Sequence, residues 1–169
     1  MVHIYCGDGK GKTTAAMGLA LRMAGAGKQV LIGQFFKNGS SGEIKILKTV
    51  PGVTAIHCRT VPGRYVHMTD TEKDQARRDY TAYLLELLER GKAADLLVLD
   101  EACAACRHQL VDEALLRQAA AMAKQGREVV LTGRDPAPWM QEAADYSTEL
   151  RAVRHPYTQG IPAREGIEY

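Results

Sequence analysis

The sequence predicts a three-layer α/β/α sandwich, with helices on both faces of a mainly parallel sheet. Two observations carry this. Short, nearly continuous apolar runs recur along the 169 residues, as strands buried on both faces require. Between them lie segments whose apolar residues keep helical spacing, and that alternation belongs to parallel sheets with crossover helices.

Taken in order, Val2 to Cys6 is the first strand, followed by a glycine-rich turn and an alanine-rich helix over Ala15 to Ala26. Val30 to Phe36 is a second strand and Val53 to His57 a third. Asp70 to Arg90 places Ala76, Tyr80, Tyr83, Leu84, Leu87 and Leu88 on one helical stripe. Thr69-Asp70-Thr71-Glu72 reads as its capping box, and Gly91 as its stop. Leu96 to Leu99 and Val129 to Thr132 complete the apolar strands. Asp112 caps a helix running to Lys124, and Asp135-Pro136 opens another that ends at Ala144. No repeat, low-complexity tract or linker interrupts this order, so residues 1–169 are read as one domain.

Composition narrows the function. Lys plus Arg number 22 and Asp plus Glu 20, a net charge of +2. That leaves no polybasic field for nucleic acid. No apolar run reaches the roughly 18 residues a membrane span needs, and no targeting segment is read at the start. Cys6, Cys58, Cys103 and Cys106 sit in or beside apolar stretches and are expected as reduced thiols, which places the protein in the cytoplasm.

The chemistry starts at Gly7-Asp8-Gly9-Lys10-Gly11-Lys12-Thr13-Thr14, between a strand and a helix. Glycines let backbone N–H groups converge on phosphate oxygens, and the helix N-terminus adds partial positive charge. Lys12 reaches the phosphates as a point charge, and the Thr13 hydroxyl is suited to a Mg²⁺ they carry. The G-x-x-x-x-G-K-[ST] pattern wants glycine at Cys6; here three residues separate Gly7 from Gly11. Without a ligand the stretch is simply a glycine-rich turn. Leu97-Val98-Leu99-Asp100-Glu101 is a strand ending in two carboxylates, a Walker-B-type arrangement for Mg²⁺ or an acidic pair that caps the next segment. Arg134, after the strand Val129 to Leu131, stands close to a bound polyphosphate or pairs with Asp135 or Asp145. Lys37 to Glu43 and Arg59 to Thr69 fall where ligands of open α/β sheets bind, or are ordinary surface connections, a reading that holds equally for the first. The second groups Tyr65, Val66, His67 and Met68 outside any strand, a grouping a ligand or partner explains better than a core. Cys103 and Cys106 share a helical face, and small core residues are their simplest role; His108 reads as a surface side chain.

With these residues in view, the chain resembles the ATP:corrinoid adenosyltransferases. The resemblance rests on GDGKGKTTAAMGLALRMAGAGKQVLIGQFFK (Gly7 to Lys37), LLVLDE (Leu96 to Glu101), LTGRDPAPWMQEAADYSTEL (Leu131 to Leu150) and the closing RHPYTQGIPAREGIEY. The shortened glycine spacing is that family's own form. The resemblance implies a P-loop NTPase fold of RecA-like type and attack of a corrinoid Co(I) on the 5′ carbon of ATP, with the whole triphosphate leaving. It implies nucleotide binding by Gly7 through Thr14, by Arg22 on the following helix and by Arg134. Lys12, Thr13 and Glu101 are the implied catalytic residues, and Thr13, Asp100 and Glu101 the implied Mg²⁺ ligands. The triphosphate is expected to lie in the loop in reversed direction. Tyr65 and His67 fall where family members carry a Phe-x-Trp pair that displaces the lower cobalt ligand. His67 is therefore expected to pack as a neutral wedge, or to yield that role to Met68. An electron donor for cobalt and a homodimer are further expectations. Longer relatives carry an N-terminal extension over the site; here a more open cleft, the C-terminal tail or another subunit is expected instead. Two other classes remain open on sequence: a general P-loop ATPase or kinase, and a non-catalytic carrier of corrinoid or nucleotide.

Overall fold

The computed structural model describes residues 1–39, 41–58 and 67–168. Its centre is a six-stranded sheet in the order β3-β2-β4-β5-β1-β6, with every neighbouring pair parallel. The strands are β1 (Val2–Cys6), β2 (Val30–Gln34), β3 (Val53–His57), β4 (Leu96–Asp100), β5 (Glu128–Gly133) and β6 (Tyr146–Glu149).

Alternation along these strands builds two cores. Leu97 and Leu99 of β4, Val129 and Leu131 of β5, and Val2, Ile4 and Cys6 of β1 face one side. There they pack against α3 (Asp70–Gly91), α4 (Ala102–Arg107), α5 (Glu113–Ala121) and α6 (Pro138–Ala143). Leu96, Val98 and Val130 face the other side with Ala16, Met17 and Ala20 of α1 (Lys12–Gly25) and Ile44 and Leu47 of α2 (Gly42–Leu47). Burial on both faces is why these strands read as unbroken apolar runs. The three layers are those expected from sequence, and the sheet is parallel throughout the described strands. The longest helix starts as anticipated: Thr69 Oγ1 accepts from the Glu72 N–H, and the Glu72 carboxylate accepts from the Thr69 N–H.

Three boundaries depart clearly from the sequence reading. β2 stops at Gln34, because Phe35 turns into the core and Phe36 takes a left-handed φ of 57°. α6 begins at Pro138 with Ala137 as N-cap. Asp135, expected to cap it, has φ 51° and pairs with Arg107 instead. The helix expected to run to Lys124 is α5, followed by a 3₁₀ turn over Met122–Gln125. β6 and the short α2 were not anticipated. All four β6 residues are exposed at the sheet edge, so no apolar run announces them. No described helix is long and apolar enough to cross a membrane, and the four cysteines form no disulfide with one another.

Candidate functional site

The carboxyl ends of β1, β2, β4 and β5 meet at one rim, and a cavity of about 630 Å³ opens there. That volume lies within the roughly 300–1,000 Å³ of small-molecule sites. Asp8 through Thr14 line one wall; Lys37, Gly42, Glu43, Glu101 and Arg134 line others.

The glycine-rich loop is shaped by close backbone approach. Gly9 N–H donates to the Leu150 carbonyl at 2.7 Å. A Cβ on Gly7, whose φ is +102°, would stand 2.3 Å from that same oxygen. Gly7 thus gives the loop its path against the end of β6 and is not among the described residues lining the cavity. Gly11, at φ 111°, precedes α1, whose start carries no side-chain cap and no acid in its first turn. Its first N–H groups and the positive end of its dipole are therefore left for an anion. Lys12 folds back, donating from Nζ to the Gly9 carbonyl at 2.7 Å. Partial burial, foremost, lowers its pKa.

The acidic pair divides its labour. Asp100 is fully buried. Its Oδ1 accepts from Thr13 Oγ1 at 2.9 Å and Thr132 Oγ1 at 2.7 Å. Its Oδ2 accepts from Lys37 Nζ at 2.8 Å and Gln34 Nε2 at 3.1 Å. With both oxygens occupied, Asp100 orients the donors around it and does not line the cavity. Glu101 does line it. Its backbone is left-handed, φ 62°, held by the Glu101 N–H donating to Thr132 Oγ1 at 2.9 Å. Burial, and then the Asp100 charge, raise the Glu101 pKa against the lowering pull of Lys37, Lys12 and Arg134.

Arg134 lines the cavity as expected, while both acids named as alternative partners are engaged elsewhere: Asp135 with Arg107, Asp145 with the Val2 N–H. Arg22 is not brought to this rim. It is exposed in the last turn of α1, nine residues beyond Thr13 and so about 14 Å farther along the axis, and it is absent from the described cavity lining. Tyr65 lies outside the described residues. His67 is exposed just ahead of α3. Met68 is half-buried against the main core. Cys103 is buried, its thiol pushed up to about 12 by desolvation. Cys106 is half-buried with a raised pKa of the same origin. Among the described residues no three His, Cys, Asp or Glu side chains converge on a metal position.

Lys37, Gln34, Thr132 and the C-terminal tail were not named as site residues from sequence. Gln34 stood out only as a polar side chain inside an apolar run, and Thr132 only as the residue before Gly133-Arg134. His155, Gly166, Ile167 and Glu168 line the cavity, so the tail contributes to its wall. Arg164 holds Glu168 through a paired contact at 3.0 Å and lowers the Glu168 pKa to about 2.

Comparison with known proteins agrees with this geometry. A Corrinoid adenosyltransferase of Pseudomonas aeruginosa is 33% identical over 169 residues, covering 98% of this chain and 82% of its own. The Corrinoid adenosyltransferase of Escherichia coli K12 is 30% identical, covering all of this chain and 85% of its own. Among solved structures, EssC (ATPases 2 and 3) from Geobacillus thermodenitrificans superposes with a TM-score of 0.53 at 14% identity. It is matched over 99% of this chain but only 36% of its own, a likeness of fold alone. The sequence pattern described as ATP:corrinoid adenosyltransferase BtuR/CobO/CobP matches residues 1–169 from end to end, and the chain belongs to that family.

Proposed function

We infer that this chain carries out its family's reaction at the rim cavity: transfer of the 5′-deoxyadenosyl group of ATP to the Co(I) of a corrinoid. The cobalt electron pair forms the cobalt–carbon bond, the C5′–O bond breaks, and the triphosphate departs with that bonding pair. The observation that carries this reading is the convergence of the uncapped α1 start, Lys12, Thr13, Glu101 and Arg134 on one cavity.

The nucleophile is already a metal, so the protein has no side chain to activate. Its work is to hold the triphosphate and disperse the charge that gathers on it. Gly9, Lys10, Gly11 and Thr14 supply the P-loop backbone, and Lys10, Lys12 and Arg134 the surrounding cations. Reversed binding of the triphosphate, with the ribose toward the open mouth, is the orientation this reading adopts. A Mg²⁺ bound with the nucleotide suits the oxygen donors here. Thr13 and Glu101 would hold it, with Asp100 orienting Thr13. The buried Gln34 Oε1 has no hydrogen-bond partner and is available to a metal-bound water. Few protein ligands are needed, because Mg²⁺ usually keeps waters and phosphate oxygens. The ion would supply charge neutralisation for the leaving triphosphate.

In this reading the corrinoid sits against the exposed His67, and an electron donor reduces its cobalt. A cytoplasmic location fits the absence of disulfides among the four cysteines, and a homodimer remains part of the proposal. The test is an anaerobic assay with ATP and chemically reduced corrinoid, following light-sensitive adenosylcorrinoid and triphosphate. Lys12→Ala is expected to abolish both products and nucleotide binding; a fully active variant overturns the site assignment. Release of ADP and phosphate would favour a general ATPase, and binding without cobalt–carbon bond formation a carrier.

A further inference from the structure

Lys37 stands where an incoming metal would want to be. Its Nζ lies 2.8 Å from Asp100 Oδ2 and 3.2 Å from Thr13 Oγ1. The chain is bent to put it there. Phe36 has a φ of 57°, a conformation bulky residues rarely adopt. Three bonds hold that bend: Gln34 N–H to Tyr83 Oη at 2.8 Å, Phe36 N–H to Tyr80 Oη at 2.9 Å, and Phe35 N–H to the Asp100 carbonyl at 3.0 Å. Strain kept at a non-glycine residue and secured on several sides marks a position with a task.

The task follows from charge. Asp100 is fully buried, and its two hydroxyl donors and the Gln34 amide solvate it without neutralising it. Lys37 is the cation that does. A divalent ion held by Thr13 and Glu101 would face that ammonium at close range, so metal and lysine compete for the Thr13 oxygen. Lys37 also lines the cavity and is 31% exposed, which gives its tip room to swing toward phosphate oxygens.

We propose that Lys37 is a resident counter-ion: it occupies the metal position in the nucleotide-free protein, admits Mg²⁺ only together with the nucleotide, and then moves onto the triphosphate. This rests on the nucleotide reading above. Metal entry relieves Asp100 of its need for Lys37, and the triphosphate offers the displaced ammonium a new partner. Free Mg²⁺ alone provides no such partner, so the exchange does not run without nucleotide.

The probe is Mn²⁺, read by its paramagnetic resonance and by water-proton relaxation. Nucleotide-free wild type is expected to bind it weakly at this site. Lys37→Gln, which keeps an amide donor within reach of Asp100, is expected to bind one Mn²⁺ at least tenfold more tightly. Adding Thr13→Val should remove the gain, and Lys37→Arg should restore exclusion. Magnesium tripolyphosphate should bind the Gln variant about tenfold more weakly than wild type. Equal Mn²⁺ affinity in the two nucleotide-free proteins overturns the proposal. So does tight binding of one Mn²⁺ to nucleotide-free wild type, a result that needs no variant to fold. If Mn·ATP binds neither protein, the nucleotide reading itself falls; if it binds both while bare Mn²⁺ affinities match, only the role of Lys37 does.

Discussion

Replacing Thr132 with valine removes one oxygen and keeps the shape. That hydroxyl donates to Asp100 Oδ1 at 2.7 Å and accepts from the Glu101 N–H at 2.9 Å. A hydrogen bond to a carboxylate contributes about 1.5–3 kcal/mol, and a part-buried N–H left unpaired costs about 1 kcal/mol or more. The expected loss is therefore about 2–4 kcal/mol. For a chain of this size each kcal/mol moves Tm by about 2–4 °C, giving a drop of roughly 5–15 °C. Thr132→Ser keeps both bonds and gives up one methyl, about 1 kcal/mol. Thermal and urea unfolding of the two variants, followed by circular dichroism and Trp139 fluorescence, make the comparison. If valine melts within about 2 °C of serine, the hydroxyl is not the tie between the two acids. Nucleotide affinity should fall with valine as well, since Glu101 then loses the bond that holds its left-handed backbone.

Three further outcomes are expected. Gly7→Ala forces a Cβ to 2.3 Å from the Leu150 carbonyl oxygen at a φ of +102°; it should cost about 2–4 kcal/mol in denaturant titration and abolish nucleotide binding. Gly18→Ala in α1, where a Cβ meets nothing within 4 Å, should instead stabilise by about 0.5–1 kcal/mol. Glu101 has a raised pKa, so the folded protein holds its proton more tightly than the unfolded chain does. Its ionisation therefore subtracts stability as pH rises from the unfolded value near 4.5 through the folded one. Glu101→Gln should make the nucleotide-free protein more stable than wild type at about pH 8, with the difference vanishing below the unfolded value, while metal-dependent nucleotide binding is lost. Melting curves at the two pH values check this, and equal Tm at about pH 8 refutes it.

Sequence disclosed the layers and the loop because both are written locally. β4 and the middle of β5 are apolar on both faces, and Gly7 to Thr14 sit at a strand-to-helix junction. Asp100 and Glu101 were visible as a pair, but their different duties were not. Which carboxylate is walled in depends on Thr13, Gln34, Lys37 and Thr132, drawn from three distant segments. Lys37 was seen only as the start of a loop, because what aims it is the φ of Phe36 and the hydroxyls of Tyr80 and Tyr83. Those two tyrosines read as members of an apolar stripe; their rings are indeed core, and only the phenol oxygens do the positioning. Arg22 shows the reverse case. A residue carried over by family likeness stands on the far turn of α1, a distance that its nine-residue spacing from Thr13 already implied once the helix was assigned.

The bond between Gly9 and Leu150 has a bearing on how the protein is made. The glycine-rich loop leaves the ribosome well ahead of Leu150, the residue just past β6 whose carbonyl fixes its path. β1 also waits for β5 and β6, the neighbours that flank it. Such long-range parallel pairing is slow. A nascent chain therefore has no finished grip on nucleotide until translation has passed residue 150, and ATP should protect the completed protein from proteolysis while leaving shorter chains exposed.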